Sequence, residues 1–397
     1  MRSLKDIDIK GKKVLIRVDY NVPLDGTRVT DDTRIRESLP TLRHLLGGGA
    51  AVVICCHLGQ PKAGPTPELS LAPVAAHLAG MLGLSVPLAA DCIGPEVKKL
   101  IAELGPGHVL MLENLRFYKA ETSKDVAERE GFAKELVAGI DVYVSDAFGV
   151  AHRPNASVTE APKFAPKACA GLLMQKEWEF LHGRLSNPER PYMAVSGGSK
   201  VSSKLGILKN LLGKVDNLII GGAMANTFRL AQGIDMGASL VELDLLDEAR
   251  SILAAAPDAG TQIHLPVDFV LAAGLKDTVP AVASHTGPVP AGLMALDIGP
   301  KSVLVFAEVL KKAKTVVWNG PMGAFENPAF AAGSIGVAKA IVASGALSIV
   351  GGGDTDAVVH QAHLGERFSF ISTGGGSFLE FLEGKELPGF KALEECS

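Results

Sequence analysis

Ser348-Ile349-Val350-Gly351-Gly352-Gly353-Asp354-Thr355 reads as a short apolar strand, a turn without side chains, and the opening of a helix. The same order returns at 370–372, followed by Thr373-Gly374-Gly375-Gly376. A glycine-rich turn from strand to helix brings bare backbone N–H groups and the positive end of a helix dipole close to a phosphate. Asp354 stands where a metal-bound phosphate would want a carboxylate. A nucleotide site in the second half of the chain is the leading expectation.

Working outward, short β-branched runs alternate with helical patterns from end to end. Strands are expected at 14–18, 51–55, 109–112, 142–144, 193–195, 218–220, 262–265, 315–318, 348–350 and 370–372. Helical patterns lie between them, for example at 34–46, 71–82, 202–211, 245–256, 301–313 and 329–344. Strands that are continuously apolar are buried on both faces, which predicts an α/β fold with parallel sheets, doubly wound and Rossmann-like. With 397 residues and 47% hydrophobic side chains, two cores and two domains are expected. The pattern at 172–185 reads as one helix ending at Ser186-Asn187-Pro188, and marks the junction.

Composition narrows the class. A net charge of −4 gives no support for a general nucleic-acid binder, so lysines and arginines must act locally. The longest apolar stretches are strand-sized, and Met1-Arg2-Ser3-Leu4-Lys5-Asp6 has no apolar signal core, so a protein free of the membrane is expected. The five cysteines show no C-x-x-C spacing, and Cys55-Cys56 are adjacent in an apolar run. Buried free thiols in a reducing cytoplasm are the expected reading. The ready-made templates are missing: no P-loop, G-x-G-x-x-G, protein-kinase set, G-x-S-x-G elbow or H-E-x-x-H helix occurs.

In open parallel sheets ligands bind beyond the carboxyl ends of strands, and those ends differ between the halves. The first half offers Asp19, Asn21, Arg34, His57, Arg116 and His152-Arg153, a set suited to a small, multiply charged anion. The second offers Gly197-Gly198-Ser199-Lys200, Gly221-Gly222-Ala223, Asn319-Gly320-Pro321 and the two glycine runs, backbone turns suited to a nucleotide. Taken singly, Arg34 reads as surface charge, His57 as a core histidine, a Gly-Gly as a packing turn and Lys200 as solvated. Their joint placement, cations in one half and glycines in the other, favours the functional reading.

These segments resemble the phosphoglycerate kinase family over essentially the whole chain. The matching stretches are Arg17-Val18-Asp19-Tyr20-Asn21-Val22-Pro23, His57-Leu58-Gly59, Leu112-Glu113-Asn114-Leu115-Arg116-Phe117, Asp146-Ala147-Phe148-Gly149 and Ala151-His152-Arg153. They continue with Gly197-Gly198-Ser199-Lys200-Val201-Ser202-Ser203-Lys204, Trp318-Asn319-Gly320-Pro321-Met322-Gly323 and the two glycine runs. The resemblance implies reversible, magnesium-dependent phosphoryl transfer between ATP and 3-phosphoglycerate, giving ADP and 1,3-bisphosphoglycerate. It implies a substrate domain over 1–170 with a returning segment 377–397, a connecting helix over 171–187, and a nucleotide domain over 188–376. Asp19, Asn21, Arg34, His57, Arg116 and Arg153 would hold the glycerate. Lys200, Lys204, Gly221, Gly222, Asn319, Glu326, Gly351, Gly352, Gly353, Asp354 and Thr355 would hold the nucleotide, with Asp354 beside the magnesium. Arg34 and Lys200, with the Gly374 and Gly375 backbone, would serve the moving phosphoryl group. Hinges are expected at 172–185 and 372–376, in a cytoplasmic, monomeric enzyme with no nucleic-acid or membrane partner.

One position departs from the family pattern. Where the family usually reads Ser-His-Leu-Gly-Arg-Pro, this chain has Cys56-His57-Leu58-Gly59-Gln60-Pro61. Gln60 replaces a charged fork with a neutral donor, which predicts a raised KM for 3-phosphoglycerate. Two other readings stand beside the kinase. One is a catalytically silent nucleotide-binding scaffold, which Gln60 alone supports; the other is a nicotinamide dehydrogenase, which lacks its G-x-G-x-x-G.

Overall fold

Val14, Leu15, Ile16 and Val18 have no exposed surface, because the strand Lys13–Val18 is central in its sheet and covered on both faces. The computed structural model describes residues 1–62 and 64–396. They form two units, one comprising Met1–Glu179 with the stretch from Glu386 onward, the other Phe180–Lys385.

In the first unit five parallel strands run in the order Val109–Met111, Ala51–Cys55, Lys13–Val18, Val142–Asp146, Ala168–Ala170. Counted along the chain this is 3-2-1-4-5, so the winding reverses between Lys13–Val18 and Val142–Asp146. The outer strands have three residues each, and isolated parallel bridges at Leu88 and Ser3 lie against Met111 and Ala170.

In the second unit six parallel strands run in the order Gln262–His264, Asn217–Ile220, Tyr192–Ser196, Thr315–Asn319, Leu347–Val350, Phe370–Ile371. The order is again 3-2-1-4-5, with a sixth strand added, and the reversal falls between Tyr192–Ser196 and Thr315–Asn319. Crevices at such reversals are where open α/β sheets bind ligands. Trp318 and Phe306 are fully buried in its core. The doubly wound α/β expectation therefore holds in both units.

Some elements differ from the sequence reading. Ala168–Ala170 is a strand although Ala-Cys-Ala carries no β-branched signal. A three-stranded antiparallel sheet, Val282–His285, Phe269–Ala272 and Met294–Ile298, was not expected within the second unit. The connecting segment is the α-helix Leu172–Trp178 followed by a π-helical stretch Glu179–Arg184, and the units divide inside it.

The return to the first unit begins at Glu386, later than the expected 377, so 372–376 is not a crossing point. The reason is which core takes the side chains. The helix Gly375–Leu382 buries Phe378 so tightly that a Cβ on Gly351 would lie 2.1 Å from its ring, and Asn210 Nδ2 donates to the Leu382 carbonyl at 2.7 Å. Beyond it, the helix Pro388–Glu395 buries Phe390 and Leu393 in the first unit, where Phe390 meets Phe148 and Trp178 at ring distances of 5.7 and 4.8 Å. Among the described residues no helix is long and apolar enough to cross a membrane.

Candidate active site

The carboxyl ends of the first sheet gather cations. Strand Lys13–Val18 delivers Asp19, whose Oδ2 accepts from Arg34 Nη1 at 2.9 Å. Arg34 sits in the first turn of helix Thr33–Gly47, and the same nitrogen donates to the Asn21 carbonyl at 3.3 Å. Asn21 Oδ1 in turn accepts from the Gly59 N–H at 2.8 Å. Gly149 leaves room for Asp19: a Cβ there would lie 2.2 Å from Asp19 Oδ2.

The fully buried Asn114 amide joins the loop after Ala51–Cys55 to the turn Leu115–Phe117. Its Nδ2 donates to the Leu58 carbonyl at 2.7 Å, and its Oδ1 accepts from the Leu58 and Arg116 N–H groups at 3.2 and 3.1 Å. That turn aims Arg116, whose Nη1 donates to the Gly59 carbonyl at 2.7 Å; its Nε is buried with no hydrogen-bond partner. Gln60 follows Gly59 and is exposed. Arg153 Nε contacts His152 Nε2 at 3.2 Å.

The electrostatics show how closely these groups converge. His57 is buried, and burial pushes its pKa well below the ordinary value, with further lowering from Arg17, Arg116, Arg153 and Arg34. Burial also lowers Arg116, to about 10, with Arg153 and Arg17 adding repulsion; Glu121 and Asp19 oppose it. Four guanidinium groups therefore act on one neutral imidazole. Such crowding of like charge is costly in the free protein and is relieved by an anion. Sequence reasoning gave Arg17 no role, although an arginine inside the apolar run Val14-Leu15-Ile16-Arg17-Val18 was the available signal.

The second unit builds its strand ends from backbone. Three loops interlock at the reversal: Gly197 N–H donates to the Asn319 carbonyl at 2.9 Å, Gly198 N–H to Pro321 at 2.9 Å, and Gly222 N–H to Met322 at 3.0 Å. A Cβ on Gly197 would lie 2.1 Å from the Pro321 carbonyl oxygen, and one on Gly222 2.5 Å from that of Gly198. Gly221 has Met322 Sδ at 2.3 Å from the same position. Close loop packing thus accounts for Gly221 and Gly222 as glycines.

Gly353 is different. It opens the helix Gly353–Gln361, its φ is not left-handed, and a Cβ there would meet nothing within 4 Å. Neither packing nor strain requires glycine, so the open space before the helix N-terminus is what a side chain would fill. Gly375, which opens Gly375–Leu382, lies alongside: its Cβ position is 3.9 Å from Gly352 Cα and from Gly353 N. The two glycine runs are neighbours. Gly374 is buried, and its N–H donates to Ser372 Oγ at 3.3 Å.

Around these turns, Lys204 Nζ donates to Asn319 Oδ1, Asn319 Nδ2 to the Gly351 carbonyl at 2.5 Å, and the Gly320 N–H to Thr355 Oγ1 at 2.6 Å. Burial lowers the Lys204 pKa to about 8, against the opposing pull of Asp354 and Glu383. Asp354 is exposed in the first helical turn; Lys200 and Glu326 are exposed on the loops after Tyr192–Ser196 and Thr315–Asn319. Among the described residues no group of three or more His, Cys, Asp and Glu side chains could hold a metal by itself.

Comparison with known proteins agrees over the full length. The phosphoglycerate kinase family model matches residues 4–385. A phosphoglycerate kinase of Maridesulfovibrio salexigens is 57% identical over 399 residues, covering 100% of both chains. The cytosolic phosphoglycerate kinase of Triticum aestivum is 50% identical over 398 residues, covering 99% of this chain and 98% of that one. The solved structure of the Coxiella burnetii phosphoglycerate kinase superposes with a TM-score of 0.90 at 40% identity, covering 100% of both chains. The chain belongs to the phosphoglycerate kinase family.

Proposed function

We propose that the two clusters divide one reaction, the reversible transfer of a phosphoryl group between ATP and the carboxylate of 3-phosphoglycerate. The chain is a kinase of this family; the assignment of residues to roles is our reading. The observation that carries it is the contrast at the strand ends, four guanidinium groups around His57 in one unit and two adjacent glycine-opened helices in the other.

The acceptor carboxylate is already ionised at neutral pH, so no general base is required. The reaction needs in-line positioning and cancellation of charge. Arg116 and Arg153 hold the phosphate of 3-phosphoglycerate, and Asp19, Asn21 and His57 hold its polar groups. Arg34 leaves Asp19 to meet the carboxylate and the moving group. Gly353 and Gly375 present helix N-termini to the nucleotide phosphates, Lys200 and Lys204 add charge, and Glu326 holds the ribose. Asp354, exposed in the first turn of its helix, would hold a magnesium ion brought with the nucleotide. When bound, that ion neutralises phosphate charge. Because the two groups of residues belong to separate units, transfer requires the units to close on the substrates and exclude water.

Gln60, next in the chain to the Gly59 carbonyl that Arg116 holds, offers a neutral donor, and we assign it a weakened hold on the substrate phosphate. The free state of the described cysteines is what a reducing cytoplasm gives, and the family resemblance suggests a monomer. Initial rates with MgATP and varied 3-phosphoglycerate, coupled through added glyceraldehyde-3-phosphate dehydrogenase to NADH oxidation, test the assignment. Saturating turnover is expected; folded, ATP-binding protein without turnover would turn the reading to a silent scaffold.

A further inference from the structure

We infer that Arg17 is a positioning residue that fixes the tautomer of His57, so that the imidazole is a neutral hydrogen-bond donor through Nε2 only. The inference rests on reading this cluster as the 3-phosphoglycerate site. Arg17 Nη2 lies 3.2 Å from His57 Nδ1, and a guanidinium can only donate. Nδ1 must therefore present its lone pair to Arg17, and the single ring proton must sit on Nε2. The competing partner for Nδ1 is Asp19 Oδ1, but at 3.9 Å it is beyond hydrogen-bond reach.

Arg17 is held for this task from below. Its Nε donates to Ser157 Oγ at 2.8 Å, and its Nη1 to the Val18 carbonyl. Ser157 Oγ then donates to Glu121 Oε1 at 2.6 Å, while the Ser157 N–H donates to Glu121 Oε2 at 2.9 Å. Tyr143 Oη donates to the Ser157 carbonyl at 2.6 Å. Arg17, Ser157, Glu121 and Tyr143 have no exposed surface. Every donor in the relay points one way, from Arg17 to Ser157 to Glu121, so the Arg17 charge is answered inside the fold and its remaining arm is fixed on His57.

A substrate oxygen needs a donor, and a histidine with Nδ1 protonated would turn a lone pair toward it from Nε2 instead. Arg17 thus serves binding through His57, without touching the ligand. The groups acting on the ring are Arg17, Arg34, Arg116 and Arg153, with Asp19 as the near carboxylate.

The test is long-range ¹H–¹⁵N correlation on the full chain with ¹⁵N-histidine. His57 is expected as the Nε2–H form alone from about pH 5.5 to 8, unlike an ordinary histidine. An Nδ1–H or doubly protonated His57 in that range would overturn the inference, and needs no variant. Arg17→Met is expected to give mixed tautomers and raise KM for 3-phosphoglycerate about tenfold, the worth of one hydrogen bond, with kcat within about twofold. Arg17→Lys, still a donor, should restore the Nε2–H form. An unmixed Nε2–H signal in Arg17→Met would also overturn the inference. If that variant does not fold, Ser157→Ala, which frees the Arg17 Nε, should show partial mixing. Added 3-phosphoglycerate should shift the Nε2 signal; an Nε2–H histidine that ignores it would sink the substrate reading and leave the tautomer assignment standing.

Discussion

The two units wind their central strands in the same 3-2-1-4-5 order and place their loops at the same kind of reversal, yet they gather opposite kinds of group there. The first unit uses long side chains, with Arg34, Arg116, Arg153 and Arg17 around His57. The second uses bare backbone, with Gly197, Gly222 and Gly320 packed loop on loop and Gly353 facing open space. Topology fixes where a ligand lies but not what holds it. A small acid offers few atoms and high charge density, which suits convergent guanidinium forks. Phosphates on a large nucleotide can be met by helix ends and close turns, leaving side chains for the remainder.

The largest effect should come from the charges assigned to the moving group. Arg34→Ala and Lys200→Ala should each lower kcat by about 10²–10³, comparable to loss of an oxyanion-hole donor. Near-normal turnover in Arg34→Ala would remove the first unit's charges from the chemistry. Next, Gln60→Arg should lower KM for 3-phosphoglycerate by roughly tenfold or more, because a charged hydrogen bond contributes about 1.5–3 kcal/mol. An unchanged KM would mean that the neighbouring arginines already saturate the phosphate.

The glycine side of the comparison can be split by two alanines. Gly197→Ala forces a Cβ against the Pro321 carbonyl and should destabilise the second unit by about 1–3 kcal/mol, read by denaturant unfolding. Gly353→Ala meets nothing, so stability should hold or rise by up to about 1 kcal/mol. Its ADP affinity, by calorimetry, should nevertheless fall about tenfold, as a hydrogen bond lost to crowding would give. Equal effects on stability would show that both glycines serve packing.

The smallest effect concerns Lys204. Its pKa near 8 means that the charged form is present below that value and is lost above it. ADP affinity should therefore weaken about three- to tenfold between about pH 7 and 9, and this slope should vanish in Lys204→Gln. A slope that survives the substitution would assign the titration elsewhere.

The strands and their parallel, doubly wound class followed from continuous apolar runs, since strands such as Lys13–Val18 and Ala51–Cys55 are buried on both faces and look it; their order in the sheets did not. What escaped lacks that signature. Ala168–Ala170 is small and unbranched, and Val282–His285 is only half buried, so neither stands out from loop. That the second unit runs on through the helix Gly375–Leu382 was hidden because the return to the first unit was expected right after the glycine run, whereas Phe378 is claimed by the core beneath Gly351. At the site, the motif residues were legible as types, but Arg17 depends on a partner at Ser157, 140 positions away. No local pattern carries that pairing.

The tapering of the two sheets bears on aggregation. Central strands of five or six residues give way to borders of three residues on the first sheet, and of three and two on the second. On the first sheet the borders also meet single backbone bridges at Ser3 and Leu88. An intruding strand would find only two or three ladder positions to copy, too few to repay its ordering. The long apolar ladders that carry the fold are thereby kept out of reach of another molecule, and this protection lies in backbone length, independent of surface charge.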